Sequence, residues 1–208
     1  MAGKSRTLSD ADRKRIEAAI AALETRTSAE LAVVVARQAH DYAAYPFLWS
    51  AALGLFAGGA LAVAFPAGRP IDVILVEGIV FALAYLALHF TPLGIALIPA
   101  HVKRAHARRL AAAEFASIVA QRTADRAGVL LFVSLAERHV EILVDRGVDA
   151  TVGRNEWPTI VERFRTAEGD TLADRLVAAI QASAAVLERH LPPLPGQRNE
   201  IPDPVKEI

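Results

Sequence analysis

The sequence has 208 residues, of which 53% are hydrophobic and 22% charged, so it holds enough apolar material for membrane segments as well as a core. Its 23 Lys and Arg residues equal its 23 Asp and Glu residues, which leaves no broad basic field for nucleic acid, and we expect no nucleic-acid partner. Cysteine is absent, so no disulfide framework is needed, and this fits any compartment.

The first polar part, residues 1–41, is predicted to form a helix and then a strand. Ser9 precedes Asp12 by three residues, which is a variant of the capping box at a helix start. The helix then places apolar residues on one stripe, at Ile16, Ile20 and Leu23. The β-branched run Val33–Val35 is too short for a second helix and too apolar for an exposed edge, so it predicts a buried strand over 30–36.

Residues 42–99 are predicted to form a transmembrane hairpin. Two mostly apolar stretches, at about 42–66 and 73–99, each reach the roughly 20 residues that a helix needs to cross a bilayer. Gly54 and Gly58 have the G-x-x-x-G spacing that lets a partner helix approach closely. The alternative is that these glycines are merely tolerated in lipid, since glycine is common in such helices.

One carboxylate, Glu77, lies near the start of the second stretch. An ionised carboxylate at mid-bilayer would cost about 2.5 to 3.5 kcal/mol on insertion scales, so we expect Glu77 at the membrane interface. A buried functional carboxylate is the alternative, because ionisable groups inside membranes often serve transport or proton transfer.

The distribution of basic residues predicts the orientation of the hairpin. Two crossings return the chain to its starting side, and the short loop between them carries Arg69 against Asp72. A basic cluster follows the second stretch, at Lys103, Arg104, Arg108 and Arg109. By the positive-inside rule, the N- and C-terminal parts are cytoplasmic and the tip near Arg69 faces outward. The same cluster also suits anionic lipid headgroups.

The second polar part, residues 100–191, is predicted to form a helix, two strands and two more helices. Segment 101–126 is alanine-rich and predicts a long helix. Segment 128–147 has two apolar runs separated by a polar turn at 136–138, which is typical of a β-hairpin. The last two helices are predicted to begin at caps, Asn155 and Thr171.

The remaining residues, 192–208, hold many prolines and few apolar groups, so we expect an extended arm and not a core element. The strand over 30–36 would leave its backbone groups unpaired if it stood alone. We therefore expect it to pair with the hairpin over 129–144. The two polar parts then form one α/β domain that is interrupted by its own membrane anchor.

The hairpin segment reads GVLLFVSLAERHVEILVDRGV, in which a strand, a short polar turn and a second strand lead into a glycine. This pattern resembles the central signature of the TPM-domain family. Three other segments match that family's opening helix, first strand and closing helix, namely LSDADRKRIEAAIAALE, AELAVVVA and ADRLVAAIQASAAVL. The resemblance implies a TPM-like helix-sheet domain interrupted by a two-helix transmembrane hairpin, as in the membrane-embedded bacterial branch of the family.

The chain departs from the family pattern at two places. A membrane hairpin lies between the first strand and the second helix, where many members have only a loop. Asp145, Arg146 and Gly147 stand where the family has an aromatic-glycine step. The resemblance implies a bacterial inner-membrane location, and roles that range over photosystem repair, receptor accessory functions and phosphatase activity with calcium binding.

No catalytic constellation is recognisable in the sequence. Cysteine is absent, no glycine-rich phosphate loop precedes a helix, and the six histidines lack the spacing of metal ligands. We therefore expect no cofactor. The best candidate for a metal site is the strand-to-helix corner that holds Asp145, Asp149 and Glu156, because converging carboxylates could hold a hard cation such as calcium. The alternative is a solvated, charge-balanced turn. Arg138 and Arg146 flank the hairpin and could attract an anionic partner, although charges on an exposed strand usually serve solubility.

The sequence therefore favours a non-catalytic interaction or accessory module that is tethered to the lipid bilayer and contacts another membrane or membrane-associated protein. The alternative is a membrane-bound phosphatase or metal-dependent hydrolase. A small transporter or channel has the least support, because two helices with one peripheral carboxylate offer no pore without oligomerisation.

Overall fold

The fold is taken from a computed structural model, which describes residues 7–91, 93–119, 127–153, 155–167, 169–194, 201 and 204–208. Contacts between residues divide the chain into two units. The α/β unit comprises Met1–Ala39 and Arg104–Ile208, and the helical unit comprises His40–Lys103.

In chain order, the described residues form α1 (Asp10–Glu24), β1 (Glu30–Ala36), α2 (Ala44–Ala64), α3 (Pro70–Phe90), α4 (Leu93–Ala96), α5 (Ala100–Ile118), β2 (Gly128–Ser134), β3 (His139–Val144), α6 (Arg146–Val152), α7 (Glu156–Thr166), α8 (Leu172–His190) and β4 (Val205–Glu207). The predicted α/β class is confirmed.

The α/β unit is built on a sheet with the strand order β3-β2-β1-β4. Strands β1 and β2 are parallel, with Val33 opposite Leu131, and β2 and β3 form the predicted antiparallel hairpin. The prediction that the first strand pairs with this hairpin is confirmed. Every residue of β1 and β2 is buried, as in strands that are covered on both faces, and this explains their continuous apolar runs.

The two faces of the sheet belong to two apolar clusters, because successive side chains of a strand point to opposite sides. Val33 lies in one cluster with the buried residues of α1 and α8. Val34 lies in the other, together with Phe132 of β2 and with Ala107 and Ala111 of α5. The small alanines let α5 pack closely on its face of the sheet.

Two of the three predicted helix caps are confirmed. The Ser9 hydroxyl accepts a hydrogen bond from the Asp12 N–H at 3.1 Å, and Thr171 caps α8 in the same way. Asn155 was predicted to cap α7, but its side chain makes no capping hydrogen bond. The reason is its helical backbone conformation (φ −82°, ψ −18°), since a capping side chain requires an extended backbone.

The C-terminal segment differs from the predicted extended arm, because its end is a strand. β4 pairs in parallel with β1, and Ile201 and Val205 are buried. Arg13 of α1 holds this strand, since its guanidinium donates to the carbonyl of Val205 at 2.7 Å and to Glu207 at 3.2 Å. The proline content of residues 192–208 obscured a strand of three residues that depends on the edge of β1 for its hydrogen bonds.

The helical unit consists of the antiparallel neighbours α2 and α3 and the short α4. The second apolar helix begins at Pro70 and ends at Phe90, so it starts earlier and stops earlier than the predicted 73–99. Thr91 has an extended backbone, which is the conformation favoured for a residue that precedes a proline, and Pro92 follows it in the sequence.

Close packing between α2 and α3 depends on two glycines. A Cβ atom added at Gly54 would lie 2.9 Å from the backbone oxygen of Glu77, and one at Gly58 would clash with the Glu77 side chain. A Cβ atom at Gly59 would meet nothing within 4 Å. Gly54 and Gly58 therefore let the two helices approach, as the close-approach interpretation of their spacing requires. Glu77 lies about two turns inside α3, against Gly58.

Candidate functional site

The corner after β3 that was predicted to hold a cation contains a short helix, α6, which was not predicted from the sequence. Asp145 is the residue before this helix, and its carboxylate accepts a hydrogen bond from the Arg146 N–H at 2.6 Å. Asp149 follows one turn later, and its N–H donates to the carbonyl of Asp145 at 2.9 Å. Asp145 is thus a capping residue, which is a common structural role for an aspartate at this position.

The third predicted ligand, Glu156, begins α7 and forms an ion pair with Arg189 of α8 at 3.6 Å. In the part of the chain that the structure describes, no three His, Cys, Asp or Glu side chains are grouped so that they could hold a metal ion. Neither Asp145 nor Asp149 lacks an interaction partner within the protein. Calcium binding at this corner stays a prediction.

Asp149 also lines an open cavity of about 350 Å³ that the sequence did not reveal. His139 and Glu141 of β3 and Trp157 of α7 contribute to the same cavity, as does Arg108 of α5. Because residues two apart on a strand share a face, the spacing of His139 and Glu141 was the available signal. That spacing alone is too common to mark a site.

The polar atoms of this cavity are partly unsatisfied. The Nε2 atom of His139 lies 3.0 Å from a carboxylate oxygen of Glu141, an arrangement that orients the imidazole ring. Nδ1 of His139 and Nε1 of Trp157 are buried and have no hydrogen-bond partner among the described residues. Buried polar atoms are normally satisfied, so these two atoms are exceptions among the side chains that line the cavity.

The turn between β2 and β3 is fixed by a buried carboxylate, Glu137. One of its oxygens accepts a hydrogen bond from the Ala39 N–H at 3.0 Å, and the other accepts one from the Ser134 hydroxyl. Glu137 is buried, although carboxylates rarely are unless they are paired. The turn is therefore fixed against the segment that follows β1.

Two carboxylates interact where α1 leads into β1, namely Glu24 at the end of α1 and Glu30 at the start of β1. Burial and, to a smaller extent, the neighbouring carboxylate of Glu30 raise the pKa of Glu24 to about 7, against a backbone hydrogen bond from Leu31 that lowers it. By contrast, hydrogen bonds from Thr171 and Arg15 lower the pKa of Asp174 to about 2. Glu24 changes its charge near neutral pH, whereas Asp174 stays ionised there.

No family model matches the sequence, and no curated protein matches it. The NMR structure of the BA42 protein from the psychrophilic bacterium Bizionia argentinensis is similar in fold, with a TM-score of 0.60 and 15% sequence identity over 100% of both chains. At this identity the similarity concerns the fold alone.

Proposed function

We propose that this protein is an integral protein of the bacterial inner membrane, in which α2 and α3 anchor a TPM-like α/β unit that serves as an interaction module. The observation that carries the proposal is the outward-facing apolar surface of the two helices. Each has 21 residues. Within an apolar stretch of 18 residues in each helix, only 17% is buried in α2 and 6% in α3.

The low buried fractions of α2 and α3 favour lipid surroundings over a place in the core of a water-soluble protein. A core helix of a water-soluble protein is equally apolar, but it is buried. Here Phe56 and Val63 of α2 are 77% and 83% exposed, and Phe90 of α3 is 76% exposed. A length of 21 residues spans about 30 Å, which matches the apolar thickness of a bilayer.

The α/β unit has features that suit binding. Its open cavity is lined by the aromatic side chains of His139 and Trp157 and by the charged side chain of Arg108. Aromatic side chains with a polar atom are frequent at protein interfaces. We propose that another membrane or membrane-associated protein is the partner, because an anchored module meets such proteins most often.

The membrane proposal is tested by floating full-length protein with phospholipid vesicles before and after an alkaline carbonate wash. We expect the protein to stay with the vesicles after the wash. Recovery of monodisperse protein in detergent-free buffer, away from the vesicles, would disprove the proposal.

Orientation is tested with single cysteines, since the chain has none of its own. Gly68→Cys lies between α2 and α3, and Ser117→Cys lies on an exposed position of α5. With the α/β unit in the cytoplasm, an impermeant maleimide added to intact spheroplasts labels Gly68→Cys but not Ser117→Cys. The opposite labelling pattern would reverse the orientation.

The interaction role is tested by chemical crosslinking and affinity capture from membranes solubilised in several detergents. Arg108→Glu reverses a charge that lines the cavity, whereas Arg109→Glu reverses a neighbouring exposed charge outside it. We expect a reproducible partner whose capture is lost in Arg108→Glu and kept in Arg109→Glu. Failure to recover any reproducible partner, or equal loss in both variants, would count against a binding role for this cavity.

The membrane-bound phosphatase or metal-dependent hydrolase stays a hypothesis from the family resemblance. It is separated from the interaction role by an assay of phosphoester turnover with the full-length protein. Unchanged turnover in Asp145→Ala and Asp149→Ala would exclude these two residues as its catalysts.

A further inference from the structure

A second cavity of the α/β unit, of about 390 Å³, opens beside the turn between β2 and β3. Three arginines from distant parts of the sequence line it, namely Arg138 of the turn, Arg165 of α7 and Arg175 of α8. Its other described lining residues are uncharged and largely apolar, and they include Phe164 and Leu172. The cavity therefore combines a concentrated positive charge with an apolar wall.

The three positive charges lack counterions inside the protein. Among the described residues, none of Arg138, Arg165 and Arg175 forms an ion pair with a carboxylate. The guanidinium of Arg175 lies 5.6 Å from the centre of the Phe164 ring, and its Nε atom is buried without a hydrogen-bond partner. Like charges around one cavity repel, so an anion among the three guanidinium groups would relieve the repulsion.

The backbone of Arg138 supports a role for its side chain. Its φ angle of 50° is left-handed, a conformation that glycine or asparagine adopts at lower cost. The turn is nevertheless well fixed, because the Arg138 N–H donates to the carbonyl of Leu135 at 3.1 Å and Glu137 anchors the same turn. Strain of this kind often accompanies function, since the fold alone would favour a different residue.

We propose that this cavity binds a small organic anion, with an oxyanion head held by Arg138, Arg165 and Arg175 and an apolar body packed against Phe164 and Leu172. Guanidinium groups bind carboxylate and phosphoryl oxygens in pairs, which favours such a head over a halide. Cavities of about 300 to 1,000 Å³ are typical of small-molecule sites. The inference concerns the α/β unit alone, so it stands whether or not α2 and α3 enter a bilayer.

The test is isothermal titration of the full-length protein in a non-ionic detergent with three probes: phenylphosphonate, inorganic phosphate and benzylamine. We expect saturable binding of phenylphosphonate that weakens with added salt. We expect at least tenfold weaker binding of inorganic phosphate, which lacks the apolar body, and no binding of benzylamine, which is a cation. Absence of saturable phenylphosphonate binding, or equal binding of benzylamine, would overturn the proposal.

Two variants test whether the binding belongs to this cavity; of the two pockets described, Arg138 lines this one alone, whereas Arg165 also lines the first. Arg165→Gln and Arg138→Gly are each expected to weaken phenylphosphonate binding about tenfold, the loss typical of one hydrogen bond to a charged group. Arg138→Gly should not lower the melting temperature, because glycine suits the left-handed backbone. Arg146→Gln, an exposed arginine outside the cavity, should leave binding within twofold. Unchanged binding in Arg138→Gly, or equal loss in Arg146→Gln, would refute the assignment.

Discussion

The two units of the protein bury opposite kinds of residue. In the α/β unit, the largest fully buried side chains are apolar, and Phe132 and Leu176 are 0% exposed. In α2 of the helical unit, the buried residues are Pro46, Ser50, Gly54 and Gly58, and α3 has no buried residue among those described. The bulky apolar side chains of α2 and α3 are exposed or half-buried instead.

If α2 and α3 lie in a bilayer as proposed, this contrast follows from the different solvent around each unit. Water drives apolar side chains inward, and the α/β unit follows that rule. Lipid gives no such drive, so helices in a bilayer associate through small residues that allow close packing. Gly54 and Gly58, packed against Glu77, are that kind of contact. A phenylalanine should therefore contribute differently to stability in each unit. The following predictions depend on that difference.

The largest expected effect is the loss of stability in Phe132→Ala. Phe132 lies on β2, and its side chain is fully buried in the apolar cluster that the sheet shares with α5. Truncation of such a residue costs about 3 to 5 kcal/mol of the free energy of unfolding. Urea unfolding in a non-ionic detergent measures the loss. A Trp49→Phe background restricts the fluorescence signal to Trp157, which lies in the α/β unit.

The matched control is Phe56→Ala in the helical unit. Phe56 is 77% exposed, so the same truncation should leave the free energy of unfolding of the α/β unit within about 0.5 kcal/mol. Equal losses in Phe132→Ala and Phe56→Ala would mean that the two units do not bury their phenylalanines differently.

The next effect is expected from a charge on the outward face of α2. Phe56 lies near the middle of this helix, and lysine there should raise the insertion free energy by about 2.5 to 3.5 kcal/mol if the surroundings are lipid. A glycosylation-based insertion assay in microsomes measures the inserted fraction, with Phe56→Leu as the control. Insertion of Phe56→Lys as efficient as that of Phe56→Leu would argue for an aqueous environment.

A smaller effect is expected from bulk at the contact between α2 and α3. Gly54→Leu would force the helices apart, because even a Cβ atom would lie 2.9 Å from the backbone oxygen of Glu77, and overpacking of this kind costs about 1 to 3 kcal/mol. Gly59→Leu has open space and should be neutral.

Crosslinking measures this separation. The rings of Phe47 and Phe81 lie 5.5 Å apart, so cysteines at these positions should be joined by a short bismaleimide. We expect the yield to fall in Gly54→Leu and to persist in Gly59→Leu. A yield that falls equally in both variants would show that the contact does not depend on Gly54.

Elements that are defined by local sequence patterns were predicted correctly. Elements that are very short, or that depend on residues distant in the sequence, were not. The stripe of α1 and the alternation in β3 are local patterns, and both elements were predicted correctly. Helix α6 was missed, because its seven residues include Gly147 and are too few for a periodic pattern. β4 was missed because its pairing with β1 joins segments about 170 residues apart.

The candidate site was less predictable than the fold, for the same reason. Asp145 and Asp149 lie at the predicted corner, but their role depends on α6, which the sequence did not indicate. Arg138, Arg165 and Arg175 belong to a turn and two helices, and only the packing of α7 and α8 on the sheet brings them to one cavity. No spacing in the sequence marks such a group.

The smallest expected effect is a dependence of stability on pH that belongs to the α/β unit alone. Burial and the neighbouring Glu30 raise the pKa of Glu24 from 4.5 to about 7 in the folded protein. The folded protein thus binds this proton more tightly than the unfolded chain does. The resulting stabilisation is complete below pH 4.5 and is lost as the pH rises through about 7.

Glu24→Gln removes this titration, because glutamine stays neutral at every pH. We expect the variant to exceed the wild type by about 1 to 2 kcal/mol above pH 7, a discounted value since Glu24 is only partly buried. The measurement is urea unfolding at pH 5, 6, 7 and 8. Glu17→Gln, on the exposed face of the same helix, should keep the wild-type decline. A decline in Glu24→Gln as steep as in the wild type would place the titrating group elsewhere. Because Glu24 and Glu30 belong to the α/β unit, the same difference should persist when the detergent is exchanged for lipid nanodiscs.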